Sequence, residues 1–141
     1  MRDKMTDYSI ISRFRNKEQC EFLVEKLKEK GKTCYSFCDI PTDPNNVGGH
    51  PEEQMRVFES TKDFFNNKYF KEIFEKDLKG LKNAKRVILL LPAGISAHIE
   101  AGIAYGLGKP LILIGEPEKP ETLYLIFKEY YKNIDEFLKS V

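Results

Sequence analysis

The chain has 141 residues, a length typical of one domain with a single hydrophobic core. Its 23 Lys and Arg residues nearly balance its 22 Asp and Glu residues, and the net charge of +1 excludes the strong positive field that recruits a nucleic acid polymer or an anionic membrane. No run reaches the roughly 18–20 apolar residues that span a bilayer, so we expect a cytoplasmic protein, with no membrane partner, that acts on a small molecule.

The first third of the chain predicts a strand, a helix and a second strand. Residues 8–12, "YSIIS", form a short apolar run, and residues 16–31 have the spacing of an amphipathic helix that stops at Gly31. Residues 32–37, "KTCYSF", are the second strand candidate. The following "CDIPTDPNNVGGH", residues 38–50, contains two prolines, an Asn pair and a Gly pair, and is long for a passive connection. We interpret it as a lid or substrate loop.

Residues 51–84 predict two helices with a break near residues 66–68. The segment opens with Pro51 and two glutamates, which suit a helix N-terminus. Its apolar side chains recur at helical spacing, which favours a buried core stripe over a cofactor-binding surface. The members of this stripe are Met55, Val57, Phe58, Phe64, Phe65, Phe70, Ile73, Phe74, Leu78 and Leu81.

The remainder predicts a strand, a helix, a strand and a helical C-terminal segment. Residues 86–92, "RVILLLP", are almost continuously apolar, as in a strand covered on both faces. A helix follows over residues 96–107, with Ile99, Ile103 and Leu107 on one face, and "GKPLILIG" returns to a strand. Residues 123–130 have helical spacing, and a short last strand is expected near Ile134.

Strands that alternate with helices imply right-handed crossover connections. We therefore expect one α/β domain over residues 1–141, a doubly wound, flavodoxin-like or Rossmann-like sandwich with a parallel sheet of four to five strands.

The cysteines give no sign of a disulfide framework or a common zinc site. Cys20, Cys34 and Cys38 are odd in number and lack paired spacing, so free thiols are expected. Cys34 and Cys38 together with His50 would supply three metal ligands, but their spacing matches no common site type. We expect neither a metal nor a cofactor.

Ligands of doubly wound sheets bind beyond the carboxyl ends of the strands, where the winding direction reverses. This places the site at residues 12–16, "SRFRN", and at residues 92–100, "PAGISAHIE". Gly94 permits a tight turn, and Ser96 is expected to cap the next helix and leave backbone N–H groups for a polar ligand. Glu100 lies about one turn further and can point back to the strand ends. The alternative is that Glu100 only complements the helix dipole.

The small residues of this segment predict a slim helix close to the sheet; they are Ala97, Ala101, Gly102, Ala104, Gly106 and Gly108.

Residues 96–110, "SAHIEAGIAYGLGKP", resemble the nucleoside 2-deoxyribosyltransferase family and the related 2'-deoxynucleoside 5'-phosphate N-hydrolases. In that family a strand and a glycine-containing turn precede a helix that reads small-x-x-E-x-G-x-A-x-x-x-G-K-P. The match is concentrated in Glu100, Gly102 and residues 108–110. The resemblance extends over nearly the whole chain. The family's first strand and helix are similar to "IISRFRNKEQCEFLVEKLKEKG". Its segment with an Asp before the third strand is similar to "FEKDLKGLKNAKRVILLLP", in which the Asp is Asp77.

The resemblance implies that Glu100 is a nucleophile that attacks C1' of a nucleoside or nucleotide. The product of this attack is a covalent glycosyl ester, as in retaining glycosidases. The helix N-terminus is expected to help keep Glu100 ionised. The resemblance also implies that Asp77 is the general acid, or else orients Glu100. The family's sites are often completed by a neighbouring subunit, so a homodimer or higher homo-oligomer is expected. The expected substrate-binding residues are Ser12, Arg13, Phe14, Gly94, Ser96, His98 and Gly102.

Two of these positions carry alternatives. Arg13 would bind a 5'-phosphate, or it is an ordinary solvated arginine. The family commonly has a base-contacting Asp six positions before the nucleophile, where this chain has Gly94. His98, or a group from residues 39–50, is a candidate replacement, and the alternative is that His98 is only an exposed residue of the first helical turn.

Two further functions fit the same fold. One is a non-catalytic module that binds a nucleotide or an ADP-ribose-like ligand. The other is NAD cleavage of the kind found in Toll/interleukin receptor-type domains, which "SAHIEAG" resembles less closely. The sequence leaves open the sugar, the base and the choice between hydrolysis and transfer.

Overall fold

A computed structural model of the chain describes residues 5–39, 45 and 49–141. Most of the segment interpreted as a lid or substrate loop, residues 38–50, lies outside these ranges. The described residues contain one sheet of five parallel strands in the order β2-β1-β3-β4-β5. The strands are β1 (Thr6–Ile11), β2 (Cys34–Ser36), β3 (Ala84–Leu90), β4 (Leu111–Ile114) and β5 (Glu129–Tyr131). The prediction of an α/β doubly wound fold with a parallel sheet is confirmed.

Helices cover both faces of the sheet. One face packs against α1 (Lys17–Glu29) and α5 (Ile134–Leu138), and the other against α3 (Lys68–Lys82) and α4 (Ile95–Gly106). The remaining helix, α2 (Pro51–Glu59), contacts the short 3-10 turn that follows β1. No helix in the described ranges is both long enough and apolar enough to cross a membrane.

The centre of the sheet explains the most apolar part of the sequence. From Val87 to Leu90 every side chain of β3 is buried, because helices cover both faces of this central strand. The strand lies between β1 and β4, and Ile11 at the end of β1 pairs with Leu89. The crossovers from β1 and from β3 run to opposite sides, so the winding direction reverses between these two strands, as predicted.

The side of α4 that packs on the sheet consists of Ala97, Ala101 and Ala104, all almost fully buried. These alanines let the helix lie close to the strands, as expected. The row formed by Ile99, Ile103 and Leu107 does not face the core, since Ile99 is 59% exposed and Leu107 is 45% exposed.

The two helices expected within residues 51–84 are present, but residues 60–67 separate them, a longer break than the sequence indicated. The prediction that their apolar stripe forms core is wrong for most of its members. Only Leu81 is buried, while Phe65 is 79% and Phe74 is 62% exposed. Part of the stripe, including Phe74, lines a cavity between α3 and α4 instead of contacting a packed partner.

The C-terminal segment differs from its prediction. Instead of a helix over residues 123–130 and a strand near Ile134, the chain forms a 3-10 helix at Thr122–Ile126, then β5, and α5 begins at Ile134. Pairing of Glu129 with Ile112 of β4 imposes the strand conformation, because the sheet edge supplies hydrogen bonds that the local helical spacing does not. The Asn133 side chain caps α5 by accepting a hydrogen bond from the Glu136 N–H.

The "GKP" turn before β4 has a structural role. The ammonium group of Lys109 donates to the carbonyl oxygens of Lys82 (2.7 Å) and Ala84 (2.8 Å), at the end of α3 and the start of β3. Gly108 has a φ of 76°, a conformation that favours glycine. This part of the motif therefore secures the connections around β3 and β4.

Candidate active site

The ends of β1 and β3 are joined by Ser12. Its hydroxyl donates a hydrogen bond to the Leu90 carbonyl oxygen at 2.7 Å, with the Pro92 carbonyl oxygen 3.1 Å away, and it accepts one from the Asn16 amide. Ser12 is buried. It therefore holds the two strand ends together at the point where the winding direction reverses.

Arg13 and Gly94, which are distant in sequence, lie side by side at this edge. A β-carbon added to Gly94 would be 3.7 Å from Cβ of Arg13. The Arg13 side chain is exposed, whereas Phe14 is buried beneath it with its ring 6.3 Å from that of Phe37. Of the predicted binding residues in this loop, Arg13 is thus the one that a ligand can reach.

The two arginines of the loop differ in their partners. The Arg15 guanidinium forms ion pairs with Glu52 and Glu59 of α2, both at 2.9 Å. Arg13 has no carboxylate partner within the described part of the chain. Arg15 therefore attaches α2 to the loop, and the positive charge of Arg13 remains available.

The start of α4 corrects one prediction. The helix begins at Ile95 with Gly94 as its N-cap, and no described side chain caps this end, so Ser96 is not the cap. The extended backbone of Gly94 (φ −98°, ψ −166°) directs its carbonyl oxygen to the His98 N–H, which starts the helical bonding before Ser96 is reached. Ser96 instead lines a cavity together with Glu100.

This cavity, of about 240 Å³, lies between α3 and α4. Two carboxylates line it, Asp77 from α3 and Glu100 from α4, and its other walls are mainly apolar. The remaining lining residues are Phe58, Phe70, Ile73, Phe74, Leu78, Leu81, Ser96, Ile99 and Ile103. The structure thus brings together the two residues predicted to be catalytic.

Asp77 is held by a residue of the sheet. The Tyr35 hydroxyl of β2 donates a hydrogen bond to Oδ1 of Asp77 at 2.9 Å. Burial raises the pKa of Asp77 above its ordinary value, and this hydrogen bond opposes the rise because it stabilises the ionised form.

Glu100 holds its proton to an unusually high pH. Burial, and secondly the negative charge of Asp77, raise the pKa of Glu100 to about 8. This direction is opposite to the expectation that the helix N-terminus keeps Glu100 ionised, because loss of solvation and the neighbouring carboxylate outweigh the helix dipole. At neutral pH the ligand-free pair therefore carries one proton, mostly on Glu100.

Comparison with solved structures places this architecture among known folds. The 2-deoxyribosyltransferase from Bacillus psychrosaccharolyticus superposes with a TM-score of 0.62 at 19% sequence identity, covering 93% of this chain and 89% of that chain. The chain has the fold of a 2-deoxyribosyltransferase. The CMP N-glycosidase BcmB from Clostridium botulinum covers 94% of this chain and 96% of that chain, with 19% identity and a TM-score of 0.48. No protein-family model and no curated protein sequence matches the chain.

Within this deoxyribosyltransferase fold, His98 lies in an open hollow beside the carboxylate cavity. The hollow is lined by residues 93–95, His98 and Ile99, and Ile99 also lines the cavity. Nδ1 of His98 donates to the Gly94 carbonyl oxygen at 2.8 Å, and Nε2 lies 2.9 Å from the Tyr124 hydroxyl. Both ring nitrogens are therefore engaged.

Gly102 is not brought to the site. It is exposed on α4, and nothing lies within 4 Å of the position that a β-carbon would take there. It does not line the cavity that contains Glu100.

The described residues contain no group of three or more His, Cys, Asp or Glu side chains that could hold a metal ion. Cys34, Cys38 and His50 are thus not assembled as a ligand set. Cys20, Cys34 and Cys38 are thiols, and Cys20 and Cys38 are buried in the core between the sheet and α1.

Neither Tyr35 nor the role of the aromatic stripe was predicted from the sequence. Tyr35 is separated from Asp77 by 42 residues, and their contact depends on the packing of α3 against β2. A usable signal existed for the stripe, since its ten large apolar residues exceed what one narrow buried helix face needs.

Proposed function

We propose that this protein cleaves or transfers the N-glycosidic bond of a nucleoside or nucleotide, with Glu100 as the nucleophile. The observation that carries the proposal is that Asp77 and Glu100, from different helices, line one cavity in a deoxyribosyltransferase fold. The 2-deoxyribosyltransferase activity belongs to the similar protein, and its extension to this chain rests on these two carboxylates.

In the first step a carboxylate oxygen of Glu100 attacks C1' of the sugar while the bond from C1' to the base nitrogen breaks. The bonding electrons leave with the base, and a proton from Asp77 goes to the base. The product is a glycosyl ester of Glu100 and a neutral base. Water then attacks C1' while the C1'–O ester bond breaks and Glu100 leaves as a carboxylate, which gives the free sugar; attack by a second base in the same way gives a new nucleoside. Asp77 takes up the proton that the attacking group loses.

The single proton of the pair serves both requirements of this step. In the ligand-free protein it is held mainly by Glu100, whose pKa is about 8. Transfer of this proton to Asp77 leaves Glu100 ionised as the nucleophile and Asp77 protonated as the general acid. Neighbouring carboxylates whose protonation is coupled commonly divide acid and nucleophile roles in this way.

The walls of the cavity suit a nucleoside. Phe58 and Phe70 stack with their ring centroids 4.3 Å apart, and with Phe74 they supply apolar surface for a sugar face or a base. This surface also keeps bulk water from the reacting carbon. Arg13, exposed beside Gly94, is the group we assign to a 5'-phosphate, because a guanidinium can bind phosphate oxygens in pairs.

We further propose that the protein acts as a homodimer or higher homo-oligomer in which a neighbouring subunit covers the cavity. Apolar side chains of the cavity and of the adjacent hollow are unusually exposed, with Ile95 at 82%, Phe74 at 62% and Ile99 at 59%. Sedimentation of a monomer at micromolar concentration would contradict this.

The direct test is incubation of the protein with nucleosides, nucleoside monophosphates and NAD, with free base measured by chromatography. We expect base release from a nucleoside or monophosphate, and the substrates cleaved will decide the sugar and the base. Release from NAD alone would favour the NAD-cleaving alternative. Binding without any release would favour the non-catalytic module and contradict the proposal.

Glu100→Gln tests the nucleophile. The variant keeps the size of the side chain but cannot attack C1', so turnover should fall by several orders of magnitude while substrate binding, measured by calorimetry, survives. Glu75→Gln, an exposed position of the same type on α3, is the matched control and should retain full turnover. An active Glu100→Gln enzyme would exclude the covalent mechanism.

A further inference from the structure

The two carboxylates of the cavity differ in their hydrogen bonding. Oδ1 of Asp77 accepts a hydrogen bond from Tyr35 at 2.9 Å, whereas no described side chain donates one to Glu100. A donor at one carboxylate stabilises negative charge there and leaves the proton of the pair to the other. The hydrogen bond from Tyr35 therefore favours negative charge on Asp77 and the proton on Glu100.

Tyr35 is held rigidly enough to impose this asymmetry. Its backbone lies in β2, where it pairs with Ser9 of β1, and its ring packs against Gly80 of α3. Gly80 and Asp77 are three residues apart on α3, so they lie on the same face of the helix. The ring that covers Gly80 thus places its hydroxyl at Asp77.

Within the described ranges, no other titratable group is seen to act on this pair. Helices α2, α3 and α4 line the cavity and β2 contributes Tyr35, and the titratable side chains that these elements bring to the pair are Asp77, Glu100 and Tyr35 themselves. Arg15 of the loop after β1 is paired with Glu52 and Glu59.

We propose that Tyr35 is a positioning residue that, by donating a hydrogen bond from its hydroxyl to Oδ1 of Asp77, determines which carboxylate of the pair holds the shared proton. The consequence for catalysis rests on the function proposed above. The consequence for protonation does not, because it is a property of the ligand-free protein.

The test is a carboxyl-carbon NMR titration of ligand-free protein carrying 13C-labelled Asp and Glu. In Tyr35→Phe, which removes one oxygen atom, the ionised form of Asp77 loses its donor. We expect the lower of the two titration steps of the pair to rise by about one pH unit. The matched control is Tyr131→Phe, which removes a tyrosine bond to Glu129 at the far edge of the sheet and should leave both steps unchanged.

A double-mutant cycle separates positioning from general disturbance of the fold. In an Asp77→Asn background only Glu100 of the pair still titrates, and Tyr35→Phe should leave that remaining step unchanged. Gly80→Ala, which displaces the ring but keeps the hydroxyl, should move the lower step in the same direction as Tyr35→Phe, and it serves if Tyr35→Phe does not fold.

A folded Tyr35→Phe protein that titrates like the wild type would overturn the proposal. With an active enzyme, Tyr35→Phe should also move the acidic limb of the kcat profile by the same amount and leave KM unchanged within about twofold. A shifted titration without any base release would support Tyr35 and contradict the proposed function. Base release with an unshifted titration would do the reverse.

Discussion

Gly80 lies directly beneath the ring of Tyr35, and a β-carbon at residue 80 would overlap Cγ, Cδ1 and Cε1 of that ring. Gly80 has a helical conformation, so its lack of a side chain serves the close approach of α3 to β2 and not an unusual backbone. The absence of one methyl group thus permits the contact through which the sheet reaches Asp77.

Gly80→Ala should destabilise the protein by about 1–3 kcal/mol, because the methyl group forces the Tyr35 ring or the helix to move. Urea denaturation gives the free energy of unfolding. Gly102→Ala is the matched control on α4, where a β-carbon meets open space. That change should be neutral or stabilise by roughly 0.5–1 kcal/mol, since alanine favours helix more than glycine does. Equal stabilities of the two variants would contradict the tight contact.

The raised pKa of Glu100 predicts a pH-dependent gain in stability on its removal. Between its ordinary value of 4.5 and its value of about 8 in the fold, the unfolded chain releases the Glu100 proton and the folded protein retains it. The free energy of unfolding therefore falls as the pH rises through this range. Glu100→Gln has no such proton, so the difference between its free energy of unfolding and that of the wild type should grow in favour of the variant from pH 4.5 to pH 8 and then level off.

The size of this gain should be roughly 1–3 kcal/mol at pH 8, allowing for partial solvent screening. Thermal or urea unfolding at pH 5 and pH 8 measures this gain. Glu75→Gln is the exposed control, and its free energy of unfolding should differ from that of the wild type by the same amount at both pH values. A constant difference for Glu100→Gln would show that Glu100 ionises normally.

Turnover should have a bell-shaped dependence on pH. At low pH both carboxylates are protonated and no nucleophile exists, whereas above about pH 8 the pair loses its last proton and no acid remains to protonate the base. The alkaline limb of kcat should therefore lie near pH 8. Initial rates from pH 4 to 10 test this, and a rate that keeps rising well above pH 8 would exclude the shared proton as the acid.

Asp77→Asn should lower kcat by about 10²–10⁴-fold, the usual contribution of a general acid. Substrates that carry a better leaving group need less protonation and should lose less activity. An equal loss for good and poor leaving groups would assign Asp77 to orienting Glu100 instead.

Arg13→Gln should separate nucleotide from nucleoside substrates. If Arg13 binds a 5'-phosphate, KM for a monophosphate should rise about tenfold or more while KM for the corresponding nucleoside is unchanged. Arg56→Gln on α2, also an exposed arginine, is the control and should change neither value. The same KM change for both substrates would show that Arg13 does not recognise phosphate.

Much of the fold is determined by local sequence patterns. The continuous apolar run of β3 is buried from water only in a strand covered on both faces. The first helix stops at Gly31 because this glycine adopts a left-handed backbone (φ 77°). Alternation of strands and helices then restricts the topology, and the rule for doubly wound sheets places the ligand at the ends of β1 and β3. Glu100 was predicted at this edge from the sequence, whereas Asp77 and the catalytic roles of both residues were predicted from the family resemblance.

Other features were decided by tertiary contacts. Residues 129–131 form a strand because β4 offers them an unpaired edge, although their spacing is helical. The aromatic stripe of α2 and α3 lines a cavity because the alanine face of α4 turns to the sheet and leaves a gap on its other side. Tyr35 meets Asp77 only because the sheet order sets β2 beside β1 and under α3. The protonation of Glu100 likewise depends on burial and on a charge from another helix, and neither can be read from the residues next to it in the chain.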